Sequence, residues 1–192
     1  MLSACAAKKI PVENIMANLK LAAVVDDEHA ILKKEPRKID FNKKVSSSLS
    51  VGESIVRTSD NVSYYQVFEG ESEFNGIVQF QLNSYCACLG FDKKIMIPLI
   101  LLLDLDGNEI KVTNVNHIKK QASNFTPLHI SLTGEFNVKK GQVFKIVVFA
   151  ENSASNLTVS NTSIQNMQGT TLLNLRVSSY PLGDFDLELH KL

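Results

Sequence analysis

Residues 76–85 read GIVQFQLNSY, and this stretch decides the fold class. Val78, Phe80 and Leu82 take every second position, and two glutamines stand between them. Because successive side chains of a strand point to opposite faces, one face of this segment is apolar and the other is polar. The stretch therefore predicts a β-strand with one face buried and the other in water.

The period of two continues on both sides of this stretch, from residue 38 to the C-terminal end. Candidate strands cover residues 38–41, 45–49, 54–58, 63–68, 76–85, 95–104, 109–115, 128–136, 143–150, 157–160, 171–177 and 185–189. The turn pairs between them are Val51-Gly52, Glu69-Gly70, Asp106-Gly107, Lys140-Gly141 and Leu182-Gly183. Many short strands without alternating helices indicate antiparallel sheets, and two packed sheets bury this much apolar surface most simply. We predict an all-β protein, an antiparallel β-sandwich of jelly-roll type with a short N-terminal helix.

Two segments carry more specific expectations. The apolar run 95–103 does not alternate, so we expect it in the middle of its sheet. Asp106-Gly107 stands between two apolar runs and predicts a two-residue type I′ hairpin turn.

The N-terminal region has a different pattern. Residues 11–25 place apolar side chains three and four positions apart, which predicts an amphipathic helix that begins near Pro11 and covers an end of the sheet. Residues 29–38 are charged and contain Pro36, which is typical of a connector. We therefore divide the chain into residues 1–36, an anchor region with helix and connector, and residues 37–192, the β-sandwich domain.

Composition excludes several classes of protein. Twenty Lys and Arg residues balance twenty Asp and Glu residues, so no net positive field favours nucleic acid. The longest apolar run, 95–103, is far shorter than the ~20 residues of a membrane-spanning helix. The chain has three cysteines, an odd number that fits neither a disulfide scaffold nor a tetrahedral zinc site.

The first of these cysteines raises the question of location. Residues 2–5, LSAC, resemble the box that ends bacterial lipoprotein signals, in which Cys5 would receive the lipid. Only Met1 precedes the box, although a signal peptide needs a basic start and an apolar segment there. Two interpretations remain open: an idle thiol on a cytosolic terminus, or a true start upstream and a lipidated Cys5. Since Ala6 and Ala7 lack the aspartate that retains enteric lipoproteins at the inner membrane, the second implies an outer-membrane anchor facing the periplasm.

Catalytic and metal-binding motifs are weak in this sequence. Cys86 and Cys88 could present two thiols on one strand face, but a pair of small residues near a strand end, oxidised in the periplasm, explains them better than a metal or redox site. The four histidines follow no metal spacing, and no G-x-S-x-G elbow marks a hydrolase. Residues 104–108, DLDGN, resemble half of a calcium loop, yet a hairpin tip accounts for them. We therefore predict no cofactor, no metal and no catalytic residue.

A few side chains are candidate ligand contacts. Tyr64 and Tyr65 are adjacent in a predicted strand, so one ring is expected to face outward. Residues 114–125 form the longest polar connection, where Asn116 and His117 are expected at one end of the sandwich.

The order of segments within residues 43–150 resembles the maltose operon periplasmic protein family, MalM. The segments that carry the resemblance are SYYQVF at 63–68, IVQFQLNS at 77–84, IPLILLLD at 97–104 and QVFKIVVFA at 142–150. The same order is also similar to the jelly-roll domains found after bacterial secreted peptidases. The first resemblance implies an envelope accessory protein of carbohydrate uptake, with a glycan or an envelope protein as partner and no catalytic residues to transfer.

The leading hypothesis is a non-catalytic, outer-membrane-anchored binding module of the periplasm. An envelope hydrolase with an unmarked Ser, His and Asp site remains an alternative. A structural assembly subunit is a further one, which predicts a long exposed apolar edge strand.

Overall fold

The structure is a computed structural model that describes residues 10–22, 28–58, 61–87, 93–120, 128–153, 158–165 and 171–192. Two helices lie in this part of the chain, α1 (Val12–Leu21) and α2 (Glu28–Lys33). The strands are β1 (Arg37–Lys38), β2 (Val45–Leu49), β3 (Ile55–Arg57), β4 (Val62–Glu71), β5 (Gly76–Tyr85), β6 (Lys93–Ile95), β7 (Pro98–Leu103), β8 (Thr113–Lys120), β9 (His129–Val138), β10 (Val143–Ala150), β11 (Thr158–Gln165), β12 (Thr171–Ser179) and β13 (Gly183–Lys191). None of these helices combines the length and apolar character that crossing a membrane requires.

Two five-stranded sheets form the sandwich. We call one of them the small sheet; its order is β1-β4-β10-β7, and β3 also pairs with β4. We call the other the large sheet, because all five of its strands lie in one continuous order, β2-β13-β5-β9-β8. A third sheet has the order β11-β12-β6. Strand pairs are antiparallel except β1 with β4 and β12 with β6. The predicted all-β class, the antiparallel sandwich and the N-terminal helix are confirmed.

The core lies between the facing sides of the small sheet and the large sheet. Phe80, Leu82 and Phe136 enter it from the large sheet, and Phe68 and Phe144 enter it from the small sheet. The rings of Phe136 and Phe144 meet edge to face with centroids 5.0 Å apart, an arrangement that aromatic quadrupoles favour. The alternation that predicts a strand at 76–85 therefore also identifies its buried face.

The prediction of a connector at residues 29–38 is wrong, because residues 28–33 form α2. Ile31 of this helix is fully buried against Tyr65 and Val147, which lie on the outer face of the small sheet. The buried Lys145 donates from Nζ to the carbonyl of Leu32 in the same helix. Burial against the sheet thus stabilises a helix that is too short to form alone.

Helix α1 agrees with its prediction. Pro11 stands at its N-cap, and Val12, Ile15 and Leu19 are buried on one face. That face packs beside Tyr64 of β4, so the helix covers part of the small sheet.

The apolar run 95–103 does not lie in the middle of a sheet. It is divided between β6 and β7, and β7 stands at the end of the small-sheet order with β10 as its strand partner. Pro98 has no N–H to donate, which suits an edge strand. Both faces of β7 are apolar because Leu102 faces the core while Leu101 and Leu103 pack in the cluster under α2.

Two turn predictions also need correction. Glu69-Gly70 lies within β4, where a Cβ on Gly70 would stand 2.6 Å from Cζ of Phe144. Asp106-Gly107 does lie in a turn, but only the glycine has positive φ, at 88°, so the turn is not type I′. Its geometry is set by Asp104, which accepts hydrogen bonds from the backbone N–H groups of Asp106 (2.9 Å) and Asn108 (2.8 Å). Hydrogen bonds from Asn108, followed by those from the turn backbone, lower the pKa of Asp104.

Candidate binding site

The large sheet turns every second side chain away from the core, and most of these side chains are polar. We call this surface the polar face; it comprises Lys44, Ser46, Gln81, Asn83, Tyr85, Asn116, Ile118, Lys120, His129, Ser131, Thr133, Asp186 and Glu188. Its orientation follows from strand alternation, because Leu82 and Leu187 lie in the core and their neighbours point the other way.

Strand pairing sets the polar residues side by side. Ser46 stands opposite Asp186, and Asp186 opposite Asn83. Asn83 in turn stands opposite Ser131. At about 4.8 Å between neighbouring strands, this register produces a polar row across the sheet from residues that are far apart in sequence.

Asp186 is the centre of a hydrogen-bond network on this face. Only 7% of the residue is exposed. Its carboxylate accepts hydrogen bonds from the hydroxyl of Ser46 (2.6 Å) and of Tyr85 (2.7 Å), and Nζ of Lys44 lies 3.3 Å away. Burial by itself raises the pKa of Asp186, but these hydrogen bonds and the ammonium of Lys44 outweigh it, so the pKa lies below 3.8. Asp186 is therefore a charged group whose partners are all supplied by the protein.

The pKa of Tyr85 shifts upward, in the opposite direction to that of Asp186. Burial, followed by the hydrogen bond to the Asp186 carboxylate, raises the pKa of Tyr85 to about 12. The centroid of its ring lies 5.7 Å from that of His129, with the planes at 45°. These two half-buried rings form the aromatic part of the polar face.

Two carboxylates of the polar face lie beside a basic side chain. Lys44 pairs with Asp186, and Glu188 lies 3.6 Å from the Nε2 of His190. The side-chain amide of Gln81 donates to Asn83 at 3.3 Å. Besides the ammonium of Lys120, which lies on the same side of β8 as Asn116, this surface offers a ligand mainly uncharged hydroxyl and amide groups.

A second candidate surface is a cleft at the open side of the sandwich. The large sheet extends one strand beyond the small one, since β8 follows β9 while β7 ends the other sheet. The core-facing side of β8, with Lys119 opposite the buried Ile130, consequently has open space in front of it.

This β7–β8 cleft has a volume of about 460 Å³, within the usual range for ligand pockets. Its lining consists of Ile97, Leu99, His117, Lys119, Ile130, Glu151, Thr158 and Val159. The Nε2 of His117 donates to the carbonyl of Pro98 at 3.3 Å, and the Lys119 ammonium lies 3.5 Å from the carbonyl of Val159. The cleft is aliphatic, with three ionisable groups around it.

A larger cavity of about 620 Å³ lies beside β1 and the end of β4. Its lining contains two ion pairs, Lys38 with Glu69 and Lys43 with Asp40 at 2.7 Å, and the exposed Glu71 and Glu73. We assign no ligand to it.

The expectation of an exposed tyrosine ring at Tyr64 or Tyr65 is wrong. Tyr64 is 4% exposed and Tyr65 is 0% exposed. The two rings do point to opposite sides of β4, but Tyr64 packs against Ile15 of α1 and Tyr65 packs against Ile31 of α2. Helix α2 covers the outer side of the sheet at Tyr65, and α1 packs on Tyr64, which points to the same side as the core residue Phe68, so both rings are core residues.

Asn116 and His117 lie in the strand β8 and not in the predicted connecting loop. Asn116 is paired with Thr133 and belongs to the polar face, whereas His117 is paired with Leu132 and lines the cleft. The structure therefore assigns the two predicted contacts to two different surfaces.

The cysteines are only partly described. Cys86, directly after β5, is in a disulfide bond, while Cys5 and Cys88 lie outside the described residues. The prediction that Cys5 is lipidated cannot be placed in the structure for the same reason. Within the ranges that the structure describes, no group of His, Cys, Asp or Glu side chains could hold a metal ion.

Sequence reasoning missed Asp186 and Tyr85. Residues 184–189 read DFDLEL, in which acidic and apolar side chains alternate, and this pattern could have identified a strand with an acidic outer face. The partners of Asp186 could not be found in this way, because Ser46 and Tyr85 are 140 and 101 positions away.

Comparisons with known proteins add little to this geometry. Neither a protein-family model nor a curated protein matches the sequence. Among solved structures, the chain is similar to the pre-peptidase C-terminal domain of a collagenase from Bacillus anthracis, with 11% sequence identity and a TM-score of 0.41. The match covers 81% of this chain and 95% of that domain. Because this likeness is weak, we describe the fold from the strand pairing of this chain alone.

Proposed function

We propose that this protein is a non-catalytic binding module of the bacterial envelope that faces the periplasm and is held to the outer membrane by a lipid on Cys5. Its ligand is a neutral glycan, and its role is that of a MalM-type accessory protein in carbohydrate transport. The observation that carries the proposal is the polar face, where the charge of Asp186 is held by Ser46, Tyr85 and Lys44.

The chemistry of the polar face favours a neutral polyhydroxyl ligand. The buried carboxylate of Asp186 already has Ser46, Tyr85 and Lys44 as partners, so it does not need a cationic ligand. Gln81, Asn116 and Thr133 lie in one row and offer amide and hydroxyl groups that can both donate and accept. The rings of Tyr85 and His129 add an apolar surface on which a sugar ring can pack.

The disulfide bond of Cys86 supports a location outside the cytoplasm. Disulfides persist in oxidising compartments, of which the bacterial periplasm is one, and are rare in the reducing cytosol. Together with the lipoprotein-like box at residues 2–5, it favours an envelope protein.

The glycan proposal predicts a difference between two neighbouring residues of β8. Asn116→Ala is expected to weaken binding of maltoheptaose or a soluble cell-wall glycan fragment by about tenfold, because a hydrogen bond to the ligand is lost. His117→Ala faces the cleft and is the matched control, with affinity expected within about twofold of the parent protein. Isothermal titration calorimetry measures both.

Absence of glycan binding to the parent protein would refute the proposal. Equal weakening by Asn116→Ala and His117→Ala would also count against the polar face as the site. Circular dichroism spectra of the variants verify that each is folded.

The anchor predicts a definite covalent state. A lipid attached through the thiol of Cys5 leaves that residue unable to form a disulfide, so the partner of Cys86 is then required to be Cys88. Intact mass and non-reducing peptide mapping of the protein from its native membrane fraction are expected to find an acylated Cys5 and a linked Cys86 and Cys88. A Cys5–Cys86 link, or an unmodified soluble product, would contradict lipid anchoring.

The alternative of an envelope hydrolase has one observation in its favour, since His117, Glu151 and Thr158 line the same cleft. Their hydrogen bonds do not form a catalytic relay: His117 donates to the carbonyl of Pro98, and Glu151 accepts from the backbone N–H of Ser153 at 2.8 Å. The alternative of an assembly subunit predicts a long exposed apolar edge strand. Most side chains of the edge strand β8 are polar, and the apolar edge strand β7 is only six residues long with Leu102 and Leu103 buried. Binding remains our proposal.

A further inference from the structure

We propose that the β7–β8 cleft is a docking site for an extended peptide segment of a protein partner, which pairs with β7 and places an apolar side chain in the cleft and an acidic one near Lys119. This interaction is independent of the glycan site, because β8 separates the cleft from the polar face. Three features of the cleft support this assignment: the open backbone of β7, the apolar lining and the ammonium of Lys119.

The backbone of β7 has an open position at Ile100. The carbonyls of Pro98 and Leu102 point away from β10, since they accept from His117 Nε2 (3.3 Å) and from the N–H of Ile110 (2.9 Å). Backbone direction alternates along a strand, so the N–H and C=O of Ile100 point the same way. An added extended residue could bond both groups, as in β-strand addition.

Among the described residues, the gap between β7 and β8 is bridged by a side chain and not by a strand. The side chain of His117 spans the gap and donates to Pro98 where the backbone N–H of a neighbouring strand would otherwise donate. After Ile110 the chain leaves the edge of β7 and crosses to the large sheet, where β8 begins at Thr113. The small sheet therefore lacks a strand opposite β8.

The side chains around the gap define the chemistry of the occupant. Ile97, Leu99 and Val159 form an aliphatic wall that suits a valine or leucine side chain. Lys119 is exposed, and within the described part of the chain its ammonium has only the carbonyl of Val159, at 3.5 Å, as a partner. Glu151 also lines the cleft, but its carboxylate accepts from the backbone N–H of Ser153. A peptide carboxylate two positions from the inserted apolar side chain would therefore be the partner of Lys119.

An acyl chain would satisfy the aliphatic wall, but it would leave the N–H and C=O of Ile100 without partners. A peptide satisfies all three features, so the occupant is a peptide.

A pair of adjacent lysines provides the test. The probe is a labelled synthetic peptide in which threonine and valine alternate and one valine is replaced by aspartate. Lys119→Glu is expected to weaken its binding by about tenfold or more, since attraction becomes repulsion. Lys120→Glu is the matched control, because Lys120 pairs with His129 and points to the opposite side of β8; its effect is expected to stay within about twofold.

Hydrogen exchange locates the peptide. Saturation with the peptide is expected to slow exchange of the Ile100 amide by about tenfold or more, while the Leu101 amide, which faces β10, stays unchanged. Three results would overturn the proposal: no peptide binding, unchanged exchange at Ile100, or equal effects of Lys119→Glu and Lys120→Glu. Protection of Ile100 that increases with protein concentration without peptide would identify a second copy as the occupant and also overturn it.

Retained peptide binding in Asn116→Ala is expected if the two surfaces act separately. The failure of one proposal is therefore distinguishable from the failure of the other.

Discussion

Tyr65→Ala is expected to lower the free energy of unfolding by about 3–5 kcal/mol, the usual cost of truncating a buried aromatic side chain to alanine. The Tyr65 ring is fully buried and packs with Ile31, Val67 and Val147. Its loss opens a cavity under α2, so that helix loses part of the surface on which it lies. For a chain of this size the melting temperature is expected to fall by about 10 °C, which differential scanning calorimetry measures.

Tyr65→Phe is the control, because it keeps the ring and the contact with the Lys34 ammonium, 4.4 Å from the ring centroid. Its unfolding free energy is expected to stay within about 1.5 kcal/mol of the parent protein. A Tyr65→Ala variant with unchanged stability and weakened glycan binding would contradict the core assignment and restore the ligand-contact hypothesis.

The error over Tyr65 shows what periodicity can and cannot predict. Alternation correctly predicted that Tyr64 and Tyr65 point to opposite sides of β4. It could not predict that both sides are covered, because that depends on where α1 and α2 pack. Where one face is open to solvent, as in β5, the sequence predicted both the strand bounds and the buried face.

Helix α2 and strand β7 were mispredicted for a related reason. The six residues 28–33 are good helix formers but too few to form a stable helix alone, so their burial against the small sheet decides their structure. The apolar character of β7 was attributed to a central position, whereas it results from a core on one face and α2 on the other. Local sequence does not distinguish these two causes.

The candidate site was the least predictable part of the molecule. The residues of the polar face are ordinary strand residues, and only register across the large sheet brings Ser46, Tyr85 and Asp186 together. Asn116 and His117 were identified by the sequence as possible contacts, but their assignment to separate surfaces depends on strand β8, which was predicted as part of a loop.

Asp186→Ala is expected to lower the free energy of unfolding by about 2–3 kcal/mol at neutral pH. It removes an acceptor shared by Ser46, Tyr85 and Lys44, and hydrogen bonds to a charged group contribute more than neutral ones. Asp184→Ala on the same strand is the matched control, since Asp184 is exposed; its effect is expected within about 0.5 kcal/mol. Urea denaturation measures both, and equal effects would show that the Asp186 network does not stabilise the fold.

The effect of pH separates charge from packing in this network. Because the folded-state pKa of Asp186 lies below 3.8, its ionic contribution is present above the unfolded pKa and is lost as pH falls through the lower folded value. Tyr85 acts at the other end: its pKa is raised from 10.0 to about 12, so its contribution is present below pH 10.0 and is lost as pH rises through about 12. The stability difference between the parent protein and Asp186→Ala is therefore expected to be largest at neutral pH and to shrink in strong acid and strong alkali. A difference that does not vary with pH would mean that Asp186 stabilises the sheet by packing and not by its charge.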